Sequence, residues 1–165
     1  MSAQFELFNR PPTLSEAQAI VENGRDNGIE CPCCGQFAKI YRRKINSMMA
    51  RGLIELYRQS RDRFWIDIKE INRALRGLAT VNPTSDFAKL AYWGFVADRG
   101  NDDPDKRRSG IWSITEKGKA FACRRIRVPE KVFLYNGESI GFSSQTTDIV
   151  EALGKKFSYW ELMRD

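Results

Sequence analysis

Four cysteines and no histidine set the chemistry open to this 165-residue chain. Cys31, Cys33 and Cys34 stand together in the run CPCCG, and Cys123 stands far downstream. A structural zinc ion takes about four ligands, commonly supplied as two Cys-x-x-Cys pairs. Cys31 and Cys34 make one such pair, with Cys33 as a spare and Cys123 as a distant single thiol. Adjacent cysteines crowd a tetrahedral ion, so a mononuclear site from this set is strained, and a site shared between two chains is the other route. The expectation is a turn of free thiols without a cofactor, with zinc through Cys31 and Cys34 as the alternative. A disulfide is disfavoured in a reducing cytosol. No βαβ pattern surrounds the motif to suggest thioredoxin-like redox work.

Other catalytic chemistry is poorly served. The absence of histidine removes the commonest general base and the commonest metal ligand together. No Gly-rich phosphate loop, nucleophile elbow or carboxylate pair at metal spacing occurs. Asp102, Asp103 and Asp105 imitate a calcium loop, but its glycine and closing glutamate are missing. The chain is not expected to be an enzyme.

Charge points elsewhere. The net charge is +6, and it is unevenly spread: residues 1–30 carry −3, residues 31–128 carry +11 and residues 129–165 carry −2. A basic middle between acidic flanks suits phosphate, because each neutralised phosphate releases counterions. A solvated basic surface is the plainer account of the same residues. No apolar run approaches the roughly 18 residues of a membrane span, and no basic leader precedes an apolar stretch at the N-terminus. No membrane association and a cytoplasmic location are therefore expected.

The elements that would carry these charges follow from periodicity and punctuation. Residues 1–12 read as extended. Thr13 and Glu16 form a capping-box signature for a helix from Leu14 that turns Ala17, Ile20 and Val21 inward and stops at the Asn-Gly steps. Ile45, Met48, Met49, Leu53, Leu56 and Tyr57 recur at helical spacing, predicting a long helix over about 45–59. Phe64 to Ile68 reads as a strand, Lys69 to Arg76 as a helix with Ile71 and Leu75 inward, and Leu78 to Val81 as a turn. Asn82 or Thr84 caps a third helix carrying Phe87, Leu90 and Ala91 inward, which Gly94 stops. A short strand, the charged loop RGNDDPDKRRSG and the strand Ile111 to Ile114 follow, and Thr115 caps another helix running to Arg125.

Helix, strand, charged loop, strand, helix, in the run from Asp86 to Arg125, resembles the recognition helix and wing of a winged helix-turn-helix domain. The motifs carrying the resemblance are the apolar helix ending W-G-F-V, the basic hairpin and the return strand W-S-I-T-E-K-G. It implies that Ser85, Ala88, Lys89 and Tyr92 face the major groove, with Arg99, Lys106, Arg107 and Arg108 on the wing reaching the backbone or minor groove. None of the four helix positions offers the Arg, Asn or Gln that makes bidentate base contacts, and the three aspartates of the loop dilute the wing's charge. Arg42, Arg43 and Lys44 stand just before the long helix, where they could meet phosphates; Arg58, Arg61 and Arg63 stand at its other end and would not easily face the same duplex. Arg124, Arg125 and Arg127 suit a helix C-terminus as well as a phosphate.

Beyond residue 127, Asn136-Gly137 between Lys131–Tyr135 and Ser139–Phe142 is a strong hairpin signal. One short helix follows, with Phe157, Tyr159 and Trp160 assigned to a core edge or a subunit interface. The expected fold is α+β in three segments: an N-terminal helix and Cys-containing turn (1–39), a winged helix (40–127), and a C-terminal hairpin and helix extension (128–165). The stretch CPCCGQFAKIYRRKINSMMARGLI is also similar to uncharacterised proteins encoded by bacteriophages and prophages. That resemblance implies no activity, only a setting in which small proteins regulate transcription or disarm host defences. The leading expectation is a regulator that binds double-stranded DNA, with a homodimer as one arrangement. The alternative is a protein-binding inhibitor of a host defence or nucleic-acid machine, with a protein partner in place of DNA.

Overall fold

A computed structural model describes residues 10–78 and 82–164. The elements in chain order are α1 (Leu14–Gly24), β1 (Ile29–Glu30), β2 (Phe37–Ala38), β3 (Tyr41–Lys44), α2 (Ser47–Gln59), β4 (Ile66–Asp67), α3 (Ile68–Ala74), a 3₁₀ helix (Phe87–Trp93), β5 (Val96–Asp98), β6 (Ile111–Ile114), α4 (Glu116–Ala122), β7 (Val128–Pro129), β8 (Lys131–Tyr135), β9 (Glu138–Phe142), β10 (Thr146–Thr147), α5 (Ile149–Leu153) and α6 (Tyr159–Leu162). The architecture is mixed α and β with small antiparallel sheets. The chain divides into two compact units, Met1–Arg42 with Phe133–Gly141, and Arg43–Val132 with Phe142–Asp165.

In the smaller unit α1 starts as its sequence dictates. The Thr13 hydroxyl accepts from the Glu16 N–H, and the Glu16 carboxylate accepts from the Thr13 N–H at 2.7 Å. Ala17 is buried, while Ile20 and Val21 are half-buried. The β1–β2 ribbon pairs Ile29 with Ala38 and Glu30 with Phe37, carrying the cysteine turn between its strands. The Asn136-Gly137 turn has both residues at positive φ, 52° and 78°, as a tight two-residue hairpin twisted like its strands requires. Arg25 lies over the Tyr135 ring at 4.8 Å. The expected extended segment falls mostly on residues 1–9, outside the described residues.

The larger unit is built around α2. Its whole middle, from Met49 to Leu56, is buried, and it packs against α3, α4, α5, the 3₁₀ helix and β6. An apolar stripe would bury only one face; covering the other brings Arg51 and Glu55 inside as an ion pair at 3.2 Å. The Glu55 carboxylate also accepts from Gln59 Nε2 at 2.9 Å, so the buried charge is hydrogen-bonded as burial demands. Gly52 lets Phe87 lie against the α2 backbone: a Cβ there would stand 3.1 Å from Phe87 Cδ2.

A three-stranded sheet follows in the order β4-β6-β5. Trp112 of β6 stands opposite both Ile66 of β4 and Asp98 of β5. The expected strand over 64–68 shrinks to Ile66–Asp67, because the Asp67 side chain accepts from the Lys69 N–H and starts α3 at once. Part of the turn expected over 78–81 lies outside the described residues.

The third helix differs from its expected form. Phe87–Trp93 is a 3₁₀ helix, and the residues it buries are Phe87, Leu90 and Trp93, with Ala91 exposed rather than inward. Three residues per turn stack positions i, i+3 and i+6 on one stripe. The large indole at Trp93 thereby enters the core, where its Nε1 donates to the Pro129 carbonyl at 2.7 Å. Gly94 ends the helix at φ 74°. At the C-terminal end the single expected helix is two, α5 and α6; Tyr159 is buried, but Trp160 is 65% exposed.

Candidate functional site

Two groups of residues singled out by sequence take a definite geometry: the loop between β5 and β6 with the 3₁₀ helix, in the larger unit, and the cysteine turn, in the smaller one.

Residues 99–110 connect β5 to β6, and the loop is folded by its own polar side chains. Asp98 Oδ1 accepts from the Gly100 N–H at 2.6 Å and from the Ser109 hydroxyl at 3.1 Å, closing the loop's base. Asn101 Oδ1 accepts from the Asp103 N–H, and Asp103 Oδ1 from the Asp105 N–H. The Asn101 amide donates across the loop to the Lys106 carbonyl at 3.2 Å. Asp103 and Asn101 thus replace missing backbone partners in a turn, a role the charge count did not distinguish from dilution of the basic field. A cleft of about 590 Å³ opens here, lined by Arg99, Asn101, Asp102, Asp103 and Lys106 among others.

The cations of this loop fall into distinct states. Arg99 and Arg107 are exposed, and Lys106 pairs with Asp103 at 3.2 Å. Arg108 is half-buried, its Nη1 donating to the Ala88 carbonyl at 3.1 Å and its guanidinium lying 5.5 Å from the Trp112 ring centre. It joins the loop to the 3₁₀ helix instead of standing free.

On the 3₁₀ helix Lys89 forms an ion pair with Asp86, whose other oxygen accepts from Asn46 Nδ2 at 3.2 Å. Asn46 is also the N-cap of α2, so the start of α2 and the start of the 3₁₀ helix are bound together. Ser85 is exposed one turn earlier, and Tyr92 is half-buried. Ser85 thus stands just before the 3₁₀ helix and Lys89 on it, while Arg99, Lys106, Arg107 and Arg108 stand on the loop after β5, which Arg108 bonds to that helix. Lys69 was not singled out by sequence. It is exposed in the first turn of α3, beside Ile68, whose N–H donates to the carbonyl of Gly110, at the end of the loop, at 2.9 Å. Only tertiary pairing could reveal that proximity.

The basic run before α2 is divided. Arg42, in the smaller unit, lies over the Phe133 ring at 5.7 Å, while Lys44, in the larger one, pairs with Glu130 at 2.7 Å. Arg43 is exposed and engaged in an interaction of its own. Downstream of α4, Arg124 pairs with Asp148 at 3.4 Å and Arg127 with Glu151 at 2.8 Å, so these arginines fasten α5 to the chain before it.

In the cysteine turn the Cys31 N–H donates to the Gln36 carbonyl, and the Gly35 N–H donates back to the Cys31 carbonyl, both at 2.8 Å. The Cys31 sulfur accepts from the backbone N–H groups of Cys33 and Cys34, which hold its thiol below the ordinary range. Cys33 and Cys34 are exposed. Cys123, in the larger unit, shares a hydrogen bond with the Tyr57 hydroxyl, which with burial raises Tyr57 above its usual range. Among the described residues no group of three or more His, Cys, Asp or Glu could hold a metal ion, and no helix is long and apolar enough to cross a membrane.

Compared with protein-family models, with curated proteins and with solved structures, the chain matches none.

Proposed function

We propose that the larger unit is a winged helix that binds duplex DNA through the 3₁₀ helix and the loop between β5 and β6, as a transcriptional regulator would. The observation that carries this reading is the sheet order β4-β6-β5, reached by way of α2, β4, α3 and the 3₁₀ helix in sequence. That order lays a helix beside the base of a long basic hairpin loop, the arrangement of a recognition helix and its wing. Arg99 and Arg107, exposed on the loop, meet phosphates. Ser85 and Tyr92 supply hydroxyls to bases or backbone. Lys89 and Lys106 reach phosphates by exchanging their carboxylate partners for the duplex, so each contributes less than a free cation. Recognition on this reading is dominated by backbone contact, with little direct discrimination among bases.

The test is a fluorescence-anisotropy titration of the full chain into a random duplex pool at low and at physiological salt. Affinity that falls steeply with salt is expected, and Arg107→Ala should weaken binding to every duplex and reduce the log–log salt slope by about 1. No binding at low salt overturns the reading.

A second reading, a protein-binding inhibitor of a host nucleic-acid machine, is favoured by one observation. Phe64 and Trp65 form an edge-to-face pair at 4.9 Å, and Phe64 is 68% exposed. Exposed aromatics of this kind are common anchors in protein interfaces.

A further inference from the structure

We infer that Phe64 and Trp65, with Arg63 and Arg73 beside them, form a platform for a single-stranded nucleic acid, whose unpaired bases stack on the two rings while its phosphates meet the two guanidinium groups.

Apolar side chains scattered singly over a surface need no partner to explain them. Phe64 and Trp65 are not scattered. They are neighbours between α2 and β4, their ring centres 4.9 Å apart and their planes at 89°, with Phe64 68% and Trp65 38% exposed. Rings set edge to face shield little of each other's flat surface, so ring faces stay open to solvent. The pair is also held in place. Arg63 donates twice to Glu70 of α3, from Nη1 at 3.1 Å and from Nη2 at 2.7 Å, which clamps the segment before β4 to that helix. Ile66 fixes its other end, buried in β4 opposite Trp112.

The surroundings are cationic. Between Arg61 and Arg76 five cations stand against three carboxylates, and two of the three are occupied: Asp67 caps α3, and Glu70 is held by Arg63. Arg73 is exposed one turn beyond Glu70 and acts on the same carboxylate through space. The Arg63 guanidinium has five N–H donors and spends two on Glu70, so it keeps donors for a phosphate. A polyanion is the complement of this field, and arginine suits phosphate because its planar fork gives parallel bonds and also stacks on a base. Each unit of an unpaired strand brings one phosphate and one flat base, the pairing that arginines set beside open rings receive. An acidic peptide brings carboxylates with no flat faces for the rings. A duplex keeps its base faces stacked inside, out of their reach.

The platform is separate from the loop between β5 and β6. β4 and β6 run antiparallel, with Asp67 opposite Ile111 and Ile66 opposite Trp112. The chain before Ile66 therefore continues toward Ser113 and Ile114, away from residues 99–110. The inference does not rest on the duplex reading.

The test is a fluorescence-anisotropy titration of the full chain into a labelled oligothymidylate of about ten nucleotides, a strand that does not pair with itself. Affinity should fall as salt rises. Phe64→Ala and Trp65→Ala should each weaken binding about tenfold, the loss of one stacked base, and Arg73→Glu should weaken it as well. Phe64→Tyr, which keeps the ring, and Arg107→Ala, which alters only the loop, should bind as the parent does. Because Phe64 is exposed, its replacement leaves the core intact, and unchanged circular dichroism verifies that. No binding at low salt, binding that both alanine variants retain, or a loss with Arg107→Ala equal to that with Phe64→Ala overturns the inference. Displacement of the strand by poly-glutamate at equal charge would assign the platform to an acidic protein and overturn it too. A chain that binds the strand and no duplex would sink the duplex reading and leave this one standing.

Discussion

Arg108 Nη1 donates to the carbonyl oxygen of Ala88 at 3.1 Å, across twenty residues of chain. This single bond joins the loop after β5 to the 3₁₀ helix. The same guanidinium lies over Trp112, which sits on the central strand of the β4-β6-β5 sheet. A residue whose charge suggests phosphate binding is thus spent on holding the helix and loop in register.

Arg107 and Arg108 should therefore separate when replaced by alanine. Arg108→Ala removes a charged hydrogen bond and a cation–π contact, and should lower stability by about 2 kcal/mol, read as a shifted urea midpoint at constant slope. Arg107→Ala should leave the midpoint within about 0.5 kcal/mol of the parent, as surface substitutions generally do, while weakening DNA binding. Equal loss of stability in the two variants would contradict the division of labour.

Of the described glycines of the larger unit, Gly118 of α4 has the least room for a side chain. A Cβ there would stand 2.2 Å from the Phe95 carbonyl oxygen, a backbone atom that also accepts from the Thr115 N–H at 3.0 Å. The Thr115 hydroxyl in turn donates to the Gly94 carbonyl at 2.6 Å and accepts from the Gly118 N–H. Helix propensity alone favours alanine over glycine by roughly 1 kcal/mol. The clash has no flexible side chain to absorb it, so Gly118→Ala should destabilise by about 3 kcal/mol, visible as a drop in thermal midpoint. A neutral or stabilising result would mean that α4 is not seated on Phe95 in this way.

Glu16 carries the pH signature of the smaller unit. The Arg10 guanidinium, bonded to it at 2.8 and 3.1 Å, together with the Thr13 N–H and hydroxyl, lowers its carboxyl to about 2. The folded value lies below the ordinary one, so the capping contribution is present above the usual carboxylate range and is lost as pH falls through about 2. An NMR titration of the Glu16 side chain should follow that value, and Arg10→Ala should move it up toward an ordinary glutamate. A midpoint near the ordinary value in the parent protein would remove Arg10 from the cap.

Local signals were legible where a few neighbouring residues settle a conformation. Thr13 and Glu16 close the capping box, and Asn136-Gly137 makes the hairpin turn. Asn46 was not singled out as the cap of α2, although its spacing to Met49 suffices. Nothing adjacent in the sequence marks Arg51 and Glu55 as buried; the elements that cover the second face of α2 bury them.

The candidate site was legible in composition and not in allocation. A basic loop between two strands after an apolar helix is visible in the residues themselves. Which cation is exposed, which is neutralised and which is structural depends on partners distant in the chain: Ala88 for Arg108, Glu130 for Lys44, Glu151 for Arg127.

By itself the sequence determined the starts of α1 at Thr13 and of α4 at Thr115 and the Asn136-Gly137 hairpin turn, because each rests on residues within one turn of one another. Tertiary structure alone decided that the helix from Phe87 to Trp93 winds with three residues per turn. Burying Phe87, Leu90 and Trp93 on one stripe, and satisfying the indole N–H on Pro129, outweighs the α-helical preference of seven residues. Tertiary structure also decided which arginines remain exposed, since an arginine's partner is chosen by the fold and not by its neighbours in sequence.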